Sequence, residues 1–324
     1  MIAKNNLLEL TPKGLYSPQA GLYIDPKSKA GKAIITHGHS DHSARGQELF
    51  IAHKLTIAIL KKNFGKKINV KQVEYGEEFT VNGVKISLHP AGHVPGSAQV
   101  RLEYKGEVAV VSGDYKLEDD GFTTPYEPVK CNVFVTESTF ALPIYKWQPQ
   151  KIIFSDINNW WRKNREKGKV SVLTAYPLGK SQRLLHNVDS SIGQIFSYAN
   201  VHELNILFVE HGLKLPETEL VDENTPAAKL EGSLIIASPA ISRSQVLQKI
   251  KNYSIGFASG WMNSFIPKRM GNIDTGFAIS DHADWEGLNS AIKATGAEKI
   301  YVTHGFTNQF VRWLKENGHD ASVL

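Results

Sequence analysis

The stretch Thr36-His37-Gly38-His39-Ser40-Asp41-His42 constrains this chain more than any other. It follows Lys32-Ala33-Ile34-Ile35, a short apolar run bounded by Gly31 that reads as a buried strand. Alternation along a strand puts His37 and His39 on one face, and a turn after Ser40 brings Asp41 and His42 beside them. Imidazoles and a carboxylate with no thiolate form a donor set that Zn²⁺ accepts. Ligands this dense suit two ions sharing one cleft. The alternative, a histidine-rich surface loop, does not explain the strand-borne spacing.

Further apolar strands are expected to end in a His, Asp or Glu: Asp25, Asp114, Glu137, His282 and His304. Ligands delivered from strand ends onto one edge of a sandwich are how a rigid scaffold holds a site. Of the 12 histidines, His37, His39, His282 and His304 occupy such ends, and His93 lies in a Gly-rich loop. His53, His89, His186, His202, His211 and His319 have no partner motif and read as surface or packing residues.

With 324 residues the chain can bury a large core and hold one large or two ordinary domains. Hydrophobic content of 41% and charged content of 21% fit a globular protein in water, and no apolar stretch approaches the ~20 residues that cross a bilayer. Residues 1–6 lack an apolar core followed by a cleavage site, so no signal peptide is expected. Cys131 is the single cysteine, which excludes an internal disulfide and fits a reducing cytoplasm. The net charge of +5 is concentrated in two runs, Lys61/Lys62/Lys66/Lys67/Lys71 and Arg162/Lys163/Arg165/Lys167/Lys169. A charge run is usually a solvated face, but these also suit a polyanionic substrate.

Taken in order, residues 23–25 read as a strand stopped by Pro26, and 44–60 read as a helix. Asn82-Gly83 and Lys105-Gly106 are hairpin turns between alternating strands. The first ~150 residues are mostly strands, which suits a sheet sandwich. A helix from about 150 to 167 then opens an alternation of strands and helices, the mark of a separate α/β domain with a parallel sheet. The loop 215–228 reads as an exposed connection. After residue 270 the first style returns, with strands at 276–282 and 299–305 and helices at 285–294 and 308–316.

These motifs, in this order, resemble the metallo-β-lactamase fold nucleases with a β-CASP domain. The signature loop is His37-x-His39-x-Asp41-His42, followed by Ala91-Gly92-His93-x-x-Gly96-Ser97-Ala98 and Ser112-Gly113-Asp114. Thr136-Glu137-Ser138-Thr139 resembles the acidic motif A, Ser280-Asp281-His282 the motif B histidine, and Val302-Thr303-His304-Gly305 motif C. Tyr176-Pro177-Leu178-Gly179-Lys180-Ser181-Gln182 is similar to the segment that opens the β-CASP insertion. Residues 10–16, 280–285 and 291–304 most resemble the bacterial ligase-associated DNA damage response exonucleases. Nucleases of the Artemis type carry valine at motif C. His304 stands there in this chain, as it does in RNA-processing members.

The resemblance implies an α/β fold: an αββα sandwich from 1–150 plus 271–324, with a β-CASP cap from 151–270. It implies two divalent ions, Zn²⁺ before Mn²⁺. One is held by His37, His39 and His93, the other by Asp41, His42 and His304, and Asp114 bridges them. It further implies His282 as general acid, oriented by Glu137, with Asp41 also at the catalytic centre. Ser97, Lys180 and Ser181 are expected to hold substrate phosphates. Asp25 matches the family's first motif and is expected to orient the ligand loop. Trp261 is open to two readings, a stacking platform for a base or a buried aromatic. The implied partner is DNA, single-stranded or at ends, with a DNA ligase and helicase of the same repair system and no membrane.

The Gly179-Lys180-Ser181 triplet is not a nucleotide-binding P-loop, because Thr174 stands where the first glycine is needed. An RNA-processing enzyme is the alternative within nucleases. A small-molecule hydrolase of the lactamase or glyoxalase type would not need the inserted domain, and a metal-free scaffold would not keep every metal ligand.

Overall fold

A computed structural model describes residues 7–263 and 273–324. The expected absence of a leader at 1–6 and the expected domain boundary at 270/271 lie outside the described residues. Two compact units result: Met1–Lys146 with His282–Leu324, and Trp147–Asp281.

In the first unit β1 (Glu9–Thr11), β2 (Gly14–Ser17), β3 (Leu22–Ile24), β4 (Lys32–Ile34), β5 (Leu49–His53) and β6 (Val70–Val73) form one sheet in that order. Helix α1 (Lys54–Phe64) joins its last two strands. A second sheet begins with β7 (Glu78–Val81), β8 (Val84–Pro90), β9 (Ala98–Tyr104), β10 (Glu107–Val111) and β11 (Val133–Ser138). The turns at Asn82-Gly83 and Lys105-Gly106 hold positive φ at both central residues, the backbone that suits a tight hairpin.

Period-2 alternation decides how the layers stack. Ile24, Ile34 and Ile51 point inward with Ile86, Val100, Val111 and Val135 of the facing sheet. Their neighbours Ala33, Ile35 and Phe50 point outward onto Ile57 and Leu60 of α1. Val110 and Phe134 point outward onto two helices that follow the second unit in sequence, through Leu288, Ile292, Phe310 and Leu314. The result is an αββα sandwich.

The second unit runs α2 (Gln150–Glu166), β12 (Val170–Thr174), α3 (Lys180–Asn187), β13 (Ile195–Tyr198), α4 (Ala199–Glu210), β14 (Glu219–Val221), β15 (Leu234–Ala237), α5 (Gln245–Lys249), β16 (Tyr253–Ala258) and β17 (Thr275–Phe277). Its strands pair in parallel in the order β14-β13-β15-β12-β16-β17. Both faces are covered, so the strands read as unbroken apolar runs. Leu173, Leu234 and Ile236 pack with Ile157, Trp161 and Leu184 on one face. Val172, Phe196 and Ile235 pack with Ile241 and Val246 on the other. The chain then returns to the first unit with α6 (Trp285–Thr295), β18 (Lys299–Gly305), α7 (Thr307–Glu316) and β19 (Asp320–Val323).

Three expectations need correction. The helix expected over 44–60 is a strand, β5, followed by α1, because Leu49-Phe50-Ile51-Ala52-His53 is buried between β4 and β6. His53 ends that strand and caps the helix, its Nδ1 accepting from Leu55 N. The strand near 276, assigned by its sequence to the sandwich, pairs with β16 as the last strand of the parallel sheet in the second unit. The loop 215–228 contains β14, paired with β13. Among the described residues no helix is long and apolar enough to cross a membrane.

Candidate metal centre

Strand β4 ends at Ile34, and in the loop after it His42 N donates to His39 O at 3.2 Å. His37 is fully buried and His39 half-buried. His39 Nδ1 lies 3.1 Å from His37 Nε2 and 3.2 Å from His93 Nε2. Asp114 arrives just beyond β10, and its Oδ2 is 3.6 Å from His37 Nε2, 3.8 Å from His93 Nε2 and 3.5 Å from His42 Nε2. One ligand atom each from His37, His39, His93 and Asp114 falls within 4.8 Å of the others, a group able to hold a metal ion.

The second expected set is looser. The rings of His42 and His304 stack at 5.2 Å between centroids, and Asp41 Oδ2 lies 3.9 Å from His42 Nε2. Asp41 and His304 are exposed, whereas His42 is buried. His42 Nε2 is a buried nitrogen with no hydrogen-bond partner, set between the Asp114 and Asp41 carboxylates. An orphaned imidazole nitrogen between two carboxylates fits a cation, so the donor set passes the test its chemistry poses. His304 sits at the end of β18 with φ +51, and Ser138 Oγ donates to its carbonyl. Gly305 follows where a Cβ would meet Ser138 O at 2.3 Å, so no larger side chain can replace it.

Asp25 holds the loop from behind, at φ +44 directly after β3. Its Oδ1 accepts from Thr36 N at 2.8 Å and its Oδ2 from Thr36 Oγ1 at 2.5 Å. Oδ2 also lies 2.8 Å from His42 Nδ1, leaving His42 Nε2 to face inward. A carboxylate on the far nitrogen of a ligating histidine fixes its tautomer and ring orientation.

The electrostatics leave His37 and Asp114 in the protonation states a ligand needs, whereas they favour the charged form of His42. Burial and the neighbouring His42 charge push His37 well below the usual imidazole range, which keeps it neutral. Burial alone would raise the Asp114 carboxyl, but His42, His282 and His37 hold it well below its ordinary value. Burial likewise opposes charge on His42, yet Asp114 and Asp25 together raise it.

Beside this group, His282 Nδ1 lies 3.0 Å and 2.9 Å from the two Glu137 oxygens. Glu137 is buried at the end of β11, where Tyr115 N donates to its Oε1 and Thr139 Oγ1 to its Oε2. The carboxylate therefore cannot turn away. The His282 ring packs 4.6 Å from that of His93, and Asp114, Glu137 and His282 also converge within 4.8 Å.

Other expected site residues are placed differently. Ser97 is buried, and its Oγ accepts from His93 N and Val94 N, so it helps to shape the ligand loop. Ser181 is also buried, its Oγ donating to Tyr176 O. Lys180 Nζ is 3.7 Å from Asp281 Oδ2, an internal partner for the expected phosphate ligand. Trp261 is 39% exposed, against the buried reading. In the second basic run Arg162 pairs with Asp189, and Arg165 donates to Ile192 O.

The architecture and this site define a class: the metallo-β-lactamase αββα fold with an inserted α/β β-CASP unit. No family model matches the chain. A "Probable DNA ligase" from Opitutus terrae is 28% identical over 314 residues, 96% of this chain and 30% of that protein. "RNase aCSPSF2" from Saccharolobus solfataricus is 29% identical over 182 residues, 47% of this chain and 37% of that one. The chain thus spans 30% of the length of one relative and 37% of the other. A protein of unknown function from Enterococcus faecalis V583 shares the fold, with a TM-score of 0.61 at 13% identity over 90% of this chain and 78% of that one.

Proposed function

We propose that this chain is a metal-dependent nuclease that hydrolyses phosphodiester bonds, acting on single-stranded DNA from an end. The observation that carries the reading is the convergence of His37, His39, His93 and Asp114 beside the Glu137–His282 pair. Phosphodiester hydrolysis needs an electrophilic clamp on the phosphoryl oxygens and a proton for the leaving sugar oxygen. That pairing supplies both.

His37, His39 and His93 would hold one ion, Asp41, His42 and His304 a second, with Asp114 shared. Divalent cations at such a centre, Zn²⁺ before Mn²⁺, supply Lewis-acid stabilisation of the phosphoryl oxygens and acidify water to a pKa of about 7. His282 does the remaining proton work. With Nδ1 held by Glu137, its Nε2 carries the proton that passes to the leaving oxygen. Glu137 keeps the ring aimed and stabilises its charged form.

DNA as substrate rests on the resemblance of residues 10–16, 280–285 and 291–304 to the ligase-associated exonucleases. It is also supported by a relative named as a DNA ligase that matches 96% of this chain. His304 and the relative named as an RNase favour the second reading, an RNA-processing enzyme. Exposed Lys62, Lys66 and Lys67 near the end of α1 offer a surface for either polyanion. The test is a side-by-side time course on matched end-labelled DNA and RNA oligonucleotides, with a circular single strand as control. Faster cleavage of linear DNA is expected. Faster RNA cleavage, or a circle cut as readily as a linear strand, overturns the end-directed DNA reading.

A further inference from the structure

The loop that carries His93 lies between β8 and β9, and a second loop, 115–123, clamps it. Lys116 N donates to Ala91 O at 3.0 Å and Thr123 Oγ1 to Gly92 O at 3.2 Å, the two carbonyls that precede His93. Gly92 has φ +73, and a Cβ there would lie 2.2 Å from Lys116 O, so the two loops are in backbone contact. The clamp is itself tied down by Asp120. Its Oδ1 accepts from Phe122 N at 2.9 Å and Thr123 N at 2.7 Å, and it shares with Gly92 O the single proton of Thr123 Oγ1, which lies 2.9 Å from it. Its Oδ2 takes Lys116 Nζ at 2.5 Å, with the two side chains only 1% and 0% exposed.

A fully buried ion pair seldom adds net stability over apolar packing of the same volume, so its presence calls for another role. Here each end of the pair belongs to a residue that fixes a neighbour of His93: Lys116 through its own N–H, and Asp120 through Thr123. Building on the metal-centre reading above, we propose that Lys116, Asp120 and Thr123 form a positioning device for the His37/His39/His93 ion. They touch no substrate. They set the angle at which His93 Nε2 meets His39 and Asp114, and so the affinity of one ion of the two. The second position, with His42 anchored directly by Asp25, does not depend on this clamp.

The test uses zinc as the probe and competition with a chromophoric chelator as the readout. Thr123→Val is nearly isosteric and removes the hydroxyl that bonds Gly92 O. The double variant K116M/D120N removes both buried charges together, leaving neither unpaired. In each, one of two zinc ions is expected to bind about 10–100-fold more weakly while the other keeps its affinity. Thr123→Ser restores the hydroxyl and is expected to restore the affinity. Adding Thr123→Val to His93→Ala should cost nothing further, whereas adding it to His304→Ala should.

Unchanged affinity for both ions, or an equal loss at both, overturns the proposal. So does a lower melting temperature of the metal-free protein with zinc affinity intact, since the clamp would then serve folding alone. A wild-type chain that takes up no zinc overturns the metal-centre reading itself, and this proposal with it.

Discussion

Asp114→Ala is expected to lose phosphodiester cleavage altogether and to retain fewer ions than the wild-type protein at the same metal concentration. The carboxylate Oδ2 lies between 3.5 and 3.8 Å from the Nε2 atoms of His42, His37 and His93, so one side chain serves both proposed positions. Two dications a few ångströms apart repel strongly in a low-dielectric site, and a shared anion offsets that repulsion. Asp114→Asn keeps the shape without the charge and should recover little activity. Ion content and single-turnover cleavage of an end-labelled strand check both variants. Wild-type turnover in Asp114→Ala would remove the shared ligand from the mechanism.

His282→Ala is expected to keep ion content and substrate affinity while turnover falls about 10²–10⁴-fold, the usual worth of a positioned general acid. That factor corresponds to about 3–5 kcal/mol of transition-state stabilisation. The geometry points to the proton and away from coordination, because Nδ1 is taken by a Glu137 carboxylate locked by Tyr115 N and Thr139 Oγ1. Glu137→Gln should lose less, since an amide can still aim the ring but supports its charge poorly. The measurements are kcat, KM and metal content side by side. A His282→Ala protein that arrives one ion short would make His282 a ligand, consistent with its closeness to Asp114 and Glu137.

Much of the site was legible in the sequence because strand-end ligands obey short-range rules. The strand expected before the ligand loop is there but ends at Ile34, so His37 and His39 are carried by the loop itself, while apolar runs ending in Asp114, Glu137 and His304 point at one edge of the sandwich. Both hairpin turns carry their own backbone chemistry and fell where expected. What escaped depends on partners distant in sequence. Four apolar residues at β5, Leu49 to Ala52, fit strand and helix alike until β4 and β6 flank them. A three-residue strand such as β17 has no local mark of the sheet it will join.

The polar contacts were the least legible. Ser97 and Ser181 sit in motifs that suggest ligand contact, and the sequence did not show that both hydroxyls also bond nearby backbone. The run Lys116-Leu117-Glu118-Asp119-Asp120-Gly121 has the composition of a solvated turn, and nothing in its spacing announces that Lys116 and Asp120 are buried together. Sequence periodicity reports which faces are apolar. It is silent on which charges are buried as pairs.

Direct ion analysis of the purified wild-type chain, after metal saturation and removal of excess, tests the central claim most closely. Seven ligands divided around Asp114 should hold two divalent ions per chain, lost together with cleavage when a strong chelator is added and regained together when metal returns. Two ions per chain is the expected result. At most one ion at saturation would contradict the two-metal centre on which the proposed chemistry depends.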